Sequence, residues 1–263
     1  MGILKEIVDK KKMRLDNAKS GTSLSELKSK MEDASEPRAF EEAIKRSGNG
    51  PIKVISEIKK ASPSQGLIRA DFDPVDIAKI YQEKGASAIS VLTEEDYFKG
   101  SLEYIRQIKN VTTIPVLRKD FIIDEYQIYE ARVNGADAVL LIAAILSRGQ
   151  ADDYLHMAQE AGISVLFEVH DSKELDKGLS IGVPIIGINN RNLDTLEIAI
   201  DTTIDMLKDI PSEKIIVTES GVSNRKDVEL FEKTRVDAVL VGTALMKEND
   251  IAGKYDQLFM SQQ

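Results

Sequence analysis

The sequence predicts an α/β protein, a (β/α)8 TIM barrel preceded by an N-terminal helical extension. Three observations carry this expectation: eight short β-branched runs, amphipathic helical stretches between them, and a glycine that ends several of those stretches. Strands apolar on both faces belong to parallel sheets. Eight strand–helix units in about 210 residues fit a closed barrel better than an open sheet. A chain of 263 residues suits one barrel domain, since such barrels commonly run to about 250 residues.

Residues 1 to 50 read as the extension within that single domain of 1–263. Ile3, Leu4, Ile7 and Val8 recur at helical spacing and lead into Lys10-Lys11-Lys12, which reads as a solvated helix face. A second helix is expected around Leu24 to Met31 and a third over Pro37 to Arg46; Ser47-Gly48-Asn49-Gly50-Pro51 is a break. The extension is expected to cover part of the barrel and border its site. The strand runs follow in order: Val54–Ile58, Ala88–Leu92, Pro115–Lys119, Ala138–Ile142, Ser164–Glu168, Ile185–Asn189, Ile215–Glu219 and Ala238–Gly242. Gly85, Gly135, Gly162 and Gly182 end the helices before four of them, because glycine takes positive φ without a Cβ clash.

The composition excludes several functions. A net charge of −9 argues against a nucleic-acid or anionic-membrane partner, because the chain repels phosphate backbones at long range. Without cysteine there are no disulfides and no thiolate metal sites, which fits the cytoplasm. Glu6 stands where an N-myristoylation pattern wants Ser or Thr, and no secretory leader is visible. The longest apolar run, Ala138 to Leu146, is too short to span a bilayer. His156 and His170 lack metal-ligand spacing and are assigned solvent or capping roles.

Polar residues at the C-terminal ends of the strands mark the site, since that rim carries the chemistry in barrel enzymes. Glu57 and Lys59 lie two apart, so both point to one face of a strand. They form either an acid/base pair or a mutually neutralising ion pair. Lys119 is either a general acid whose pKa burial lowers or a strand-end lysine reaching solvent. Glu168 can act as a base, stabilise a cation, or cap the next helix. Asn189, Glu219 and Ser220 stand at further strand ends. Ser220-Gly221 and Gly242-Thr243 follow the seventh and eighth strands, where barrels bind phosphate through backbone amides; the alternative is two tight turns. Ser62-Pro63-Ser64-Gln65-Gly66 reads as a flexible loop, a lid or a plain connection.

Together these segments resemble the indole-3-glycerol phosphate synthase family. The resemblance is carried by Ser56-Glu57-Ile58-Lys59-Lys60-Ala61-Ser62-Pro63-Ser64, Val91-Leu92-Thr93-Glu94-Glu95-Asp96-Tyr97-Phe98-Lys99-Gly100-Ser101 and Leu117-Arg118-Lys119-Asp120-Phe121-Ile122. Glu168-Val169-His170, Gly187-Ile188-Asn189-Asn190-Arg191-Asn192-Leu193, Glu219-Ser220-Gly221-Val222 and Val241-Gly242-Thr243-Ala244-Leu245-Met246 complete it, in family order. Gln65 stands where many members carry a basic residue, and Thr243 where Ser is common.

The resemblance implies ring closure, decarboxylation and dehydration of 1-(o-carboxyphenylamino)-1-deoxyribulose 5-phosphate, with no cofactor or metal. By the same resemblance Lys119 is the general acid, Lys59 contacts the carboxylate or phosphate region, and Glu57 is its partner and a later base. Glu168 stabilises a cationic ring, Glu219 joins the catalytic set, and Asn189 and Arg191 orient polar groups. Phe121, Leu140 and Leu193 hold the anthranilate ring, with Phe98 a further substrate contact. Ser62, Ser220, Gly221, Gly242 and Thr243 bind hydroxyls and phosphate. Loose association with other tryptophan-pathway enzymes is left open. Two other readings were weighed: a phosphoribosylanthranilate isomerase, which the Ser-Glu-Ile-Lys and Lys-Asp-Phe segments oppose, and a non-catalytic phosphometabolite-binding subunit, which the intact acid/base positions oppose.

Overall fold

A computed structural model describes residues 2–48, 50–193 and 195–260. Met1, Asn49 in the expected break, Asp194 and residues 261–263 lie outside the described residues. The barrel strands are β1 (Lys53–Ile58), β2 (Ala88–Leu92), β3 (Val116–Lys119), β4 (Ala138–Ile142), β5 (Ser164–Val169), β6 (Ile185–Asn189), β7 (Ile215–Glu219) and β8 (Ala238–Val241). Each pairs in parallel with the next, and β8 pairs with β1 to close the barrel. All eight expected runs are strands, with shifts of one residue at some ends. Pro115 stays outside β3, having no N–H to give the ladder, and Gly242 leaves β8 to begin a short helix, Thr243–Met246. The four expected helix-end glycines all have positive φ, between 73° at Gly162 and 88° at Gly135.

Side chains alternate across each strand. Ile55, Leu117, Leu140, Leu166, Val217 and Leu240 fill the barrel, while their neighbours face the helices. The Ser62–Gly66 segment is not a plain loop: Ala61–Ser62 pairs antiparallel with Gly66–Leu67 as a short hairpin over the mouth.

The extension forms α1 (Ile3–Gly21), α2 (Leu24–Glu32) and α3 (Phe40–Ile44). α3 plugs the barrel floor, with Phe40 and Ile44 fully buried in the interior cluster beside Ala88, Ala138 and Ala238. Two carboxylates hold this plug. Asp137, just before β4, accepts from the Arg38 amide at 2.6 Å, Lys109 Nζ at 2.6 Å and the Val116 amide at 2.7 Å. Asp237, just before β8, accepts from the Arg46 amide at 3.0 Å and the Ile216 amide at 2.9 Å. Each aspartate thus ties one end of α3 to the foot of the preceding strand. The flanking guanidinium groups finish the seal: Arg38 donates to the Ile114 and Lys109 carbonyls, Arg46 to those of Gly50, Thr234 and Glu232.

At the other end of the extension, α1 reaches the mouth, where Ile3, Leu4 and Ile7 line the central cavity. The expected solvated face at Lys10 to Lys12 is corrected here. Lys11 is buried, with Nζ 2.8 Å from Asp120 and 2.9 Å from Glu95. Lys10, whose ammonium lies over the Tyr97 ring, and Lys12 both stay exposed as expected, so the correction concerns Lys11 alone.

Asp137→Ala leaves two amides and an ammonium without their acceptor. The expected loss is about 2–4 kcal/mol, read as a melting temperature lowered by roughly 5–15 °C. A melting temperature within about 2 °C of the parent would show that the floor does not depend on this carboxylate.

Candidate active site

Every residue expected at the site from the sequence lines one cavity of about 610 Å³ at the C-terminal rim: Glu57, Lys59, Ser62, Phe98, Lys119, Phe121, Leu140, Glu168, Asn189, Arg191, Leu193, Glu219, Ser220, Gly221, Gly242 and Thr243. Its base is a charged ring. The odd-numbered strands β1, β3, β5 and β7 each turn one ionisable side chain inward: Glu57, Lys119, Glu168 and Glu219. Alternate strands of such a barrel fill a common layer, so these four meet. Lys119 Nζ lies 2.8 Å from Glu168 Oε2 and 2.9 Å from Glu219 Oε2. Glu57 binds Lys59 Nζ at 2.5 Å.

Two glycines, one on β6 and one just after β8, make room for these acids. A Cβ on Gly242 would collide with Glu57 Oε2, and one on Gly187 with Glu219 Oε1. Gly242 therefore does more than free an amide for an anion: its missing side chain is the space that Glu57 occupies. Asn190 sets the third corner. Its Nδ2 donates to Thr218 Oγ1 and to the Glu219 and Ser220 carbonyls at 2.9–3.1 Å, and its Oδ1 accepts from the Thr203 amide and hydroxyl. Asn190 was not expected at the site; its only sequence signal is its place in the Asn-Asn-Arg segment.

The ring's electrostatics overturn one expectation. Burial alone lowers the Lys119 ammonium, but Glu168, Glu219 and Glu57 outweigh it and hold its pKa above the ordinary lysine range. Lys119 is thus protonated at neutral pH in the resting site. Glu168 resists burial because Lys119 and His170 face it, and it is held well below the usual carboxylate range. Glu219 goes the other way. Burial raises it, Lys119 offsets only part of that, and the Glu168 charge raises it further, to about 7. Its Oε1 is buried without a hydrogen-bond partner, pointing at the space above Gly187.

The walls are apolar and aromatic. Phe98 and Phe121 stand 6.2 Å apart, ring centre to ring centre. Phe98 is placed by Glu94, whose carboxylate accepts the amides of Asp96, Tyr97 and Phe98 at 2.8–2.9 Å. The neighbouring acids Glu95 and Asp96 pair with Lys11 and Arg14, so this acidic cluster is already neutralised. On the rim, Ser220 and Gly221 both take positive φ (63° and 98°) and line the cavity; the conformation costs Ser220 energy and the glycine none. Arg191 donates to the Leu196 carbonyl at 2.9 Å, and its amide donates to Asn189 Oδ1 at 3.0 Å. Gln65 is joined to Lys247 Nζ at 2.6 Å, linking the hairpin to the helix after β8.

Below the ring, Arg118 contacts Asp120 Oδ2 at 3.1 Å and Glu130 at 2.9 Å, and Asp120 receives Lys11. These buried charges fix the strand end that carries Lys119 and Phe121. His170 is a second correction. His156 is exposed as expected, but His170 is largely buried between Glu168 and Glu174.

Glu219 makes stability depend on pH in a defined direction. Its folded pKa lies above the ordinary 4.5, so the folded state keeps a proton that the unfolded chain has released. That stabilisation is full at acidic pH and is lost as pH rises from about 4.5 towards 7. Glu219→Gln cannot lose a proton there. Its melting temperature relative to the parent is therefore expected to climb between about pH 5 and pH 8. A difference that stays flat over that range would contradict the assignment.

The comparisons with known proteins agree with this geometry. A family described as indole-3-glycerol phosphate synthase matches residues 4–258. An indole-3-glycerol phosphate synthase of Leptothrix cholodnii is 45% identical over 249 residues, covering 94% of this chain and 95% of its own. That of Polynucleobacter necessarius is 44% identical, covering 98% of each chain. That of Chlorobium chlorochromatii is 50% identical over 209 residues, 80% of this chain and 81% of its own. Among solved structures, 3-hexulose-6-phosphate synthase from Salmonella typhimurium superposes with a TM-score of 0.62 at 18% identity, over 79% of this chain and 96% of that one. KGPDC from Streptococcus mutans also gives 0.62, at 11% identity, over 80% and 96%; at such identities the likeness is one of fold alone. With the family matched almost end to end on a barrel whose rim carries its polar residues, the chain belongs to the indole-3-glycerol phosphate synthase family.

Proposed function

We propose that this protein converts 1-(o-carboxyphenylamino)-1-deoxyribulose 5-phosphate to indole-3-glycerol phosphate, carbon dioxide and water. The observation that carries the reading is the charged ring: one ammonium among three carboxylates at the base of a cavity that Phe98, Phe121, Leu140 and Leu193 also line. In the first step the ring carbon bearing the carboxylate attacks the ketose carbonyl. A carbon–carbon bond forms while the carbonyl oxygen gains a proton and the aromatic system becomes cationic. Loss of carbon dioxide returns its bonding electrons to the ring. The new hydroxyl then leaves as water as a proton departs from the neighbouring carbon. The balance needs no oxidant or reductant.

Lys119 is the cation that meets the developing oxyanion and supplies its proton. Glu168 faces the cationic ring from the other side. Fixed charges in a dry site stabilise such separation more than water does. Glu57, paired with Lys59, and Glu219, with its orphaned oxygen, are the groups available to move protons in dehydration. Phe98, Phe121, Leu140 and Leu193 hold the aromatic ring, while Asn189 and Arg191 orient polar groups. Ser62, Ser220, Gly221, Gly242 and Thr243 hold hydroxyls and the phosphate, with Lys59 nearby. We read residues 1–50 and the barrel as one domain, because α3 fills the floor and α1 borders the mouth. We also read the protein as cytoplasmic, in keeping with its lack of cysteine. Among the described residues no helix is long and apolar enough to cross a membrane.

Turnover followed by indole fluorescence tests the reading. Lys119→Met keeps the volume and removes the charge, so kcat is expected to fall by about a hundredfold or more. Glu168→Gln should lower kcat and leave KM nearly unchanged. The double variant should lose less than the product of the two single losses, since both groups act in one step. Normal turnover by folded Lys119→Met would defeat the proposal.

A further inference from the structure

Two of the three ring carboxylates have a private cation two residues further along the chain, just past the end of their strand. Glu57 has Lys59, and Glu168 has His170. Glu219 has Gly221 at that place and none. Side chains two apart on extended chain share a face, and the chain just past the strand end still places His170 on the side of Glu168. Its Nε2 lies 3.2 Å from Glu168 Oε1, the oxygen that Lys119 does not use, as an ion pair without hydrogen-bond alignment.

The imidazole is held in that pose from behind. β5 ends at Val169, and Asp171 already caps the next helix, Ser172–Ser180. His170 fills that tight connection. Glu174, on the first turn of that helix, accepts the His170 amide at 2.8 Å and sits 3.0 Å from Nδ1. A neutral imidazole has one N–H and one lone pair, so it can satisfy only one of two flanking carboxylates. With a carboxylate oxygen at each nitrogen, the ring fits as an imidazolium. Burial opposes that charge, but Glu168 and Glu174 outweigh burial and raise the pKa to about 10. Beyond these two, the charges next to hand are Lys119 and Glu219, both on the far side of Glu168.

We propose that His170 is a positioning residue of the reaction: anchored by Glu174, its imidazolium grips the free oxygen of Glu168 and keeps that carboxylate ionised and fixed between two cations. Glu219, with one shared cation and an orphaned oxygen, is left as the member of the ring that takes up a proton first. His170 therefore acts through Glu168 and decides how the ring divides its charge. The inference rests on the reading of Glu168 as the group that faces the cationic aromatic ring.

The test compares the parent, His170→Gln and His170→Lys in the full chain, using the carboxyphenylamino-deoxyribulose phosphate as substrate. His170→Gln is expected to lose about tenfold in kcat, the scale of losing a partner that orients a functional group, with KM little changed. The acid limb of its kcat/KM profile should move to higher pH, since Glu168 takes up a proton more readily without the cation. His170→Lys should bring the acid limb back towards the parent position. Parent-like kcat and acid limb in His170→Gln overturn the proposal. So does a fall in kcat with the acid limb unmoved, because packing alone explains that. Nitrogen-15 NMR of the parent decides the matter should the variants fail to fold. The chain has two histidines, and the buried ring is expected to hold protons on both nitrogens through about pH 8. A neutral ring at that pH overturns the proposal. A parent that makes no indole defeats the functional reading instead, while the NMR result still decides whether His170 holds Glu168.

Discussion

Four ionisable groups occupy a layer of the barrel that would ordinarily be packed with aliphatic side chains, and most of the site follows from that constraint. Moving one carboxylate or ammonium into a low-dielectric interior is costly, and mutual attraction offsets the cost only when geometry is close and the remaining oxygens have partners. The barrel supplies the geometry, because alternate strands send their inward side chains to a common level. Lys119 touches two of the three acids at 2.8–2.9 Å, and Lys59 takes the third. β6 and the residue after β8 contribute absence: Gly187 and Gly242 have no side chain where Glu219 and Glu57 must lie. The same crowding that keeps Lys119 protonated in the resting site leaves Glu219 easier to protonate, so one arrangement sets both a cation and a titratable acid.

The extension connects this layer to the rest of the molecule. α3 stops the barrel floor with Phe40 and Ile44, and Asp137 and Asp237 secure its two ends. α1 crosses to the mouth and inserts Lys11 against Asp120. Asp120 also receives Arg118, which is tied in turn to Glu130. A chain of buried charge pairs therefore runs from α1 to the strand end that presents Lys119 and Phe121. Breaking such a pair leaves an uncompensated charge inside the protein, so the pose of the strand end that carries Lys119 and the docking of the extension are linked.

The eight strands, the helix-ending glycines and the polar residues at the C-terminal rim were all legible in the sequence. These features depend on local rules: period two in strands, positive φ at glycine, and the burial of both faces in a parallel barrel. Their gathering into one cavity follows from closure, which the count of eight runs implied. Thus Glu57, Lys119, Glu168, Asn189 and Glu219 were named at the rim from strand ends alone.

Tertiary structure decided what local rules cannot express: which charge meets which. Lys11 lies in a run of three lysines that reads as solvated, and Glu95 and Asp120, more than eighty and a hundred residues away, draw it inward. Burial alone predicts a weakened Lys119 ammonium, yet acids from three other strands reverse the sign. Gly242 reads as a loop glycine until Glu57 is seen in the space beside it. His170 reads as a cap until its second nitrogen is found facing Glu168. The physical reason is the same in each case. Propensity and periodicity act between neighbours in the chain, whereas the charge and packing of a buried group are summed over all neighbours in space.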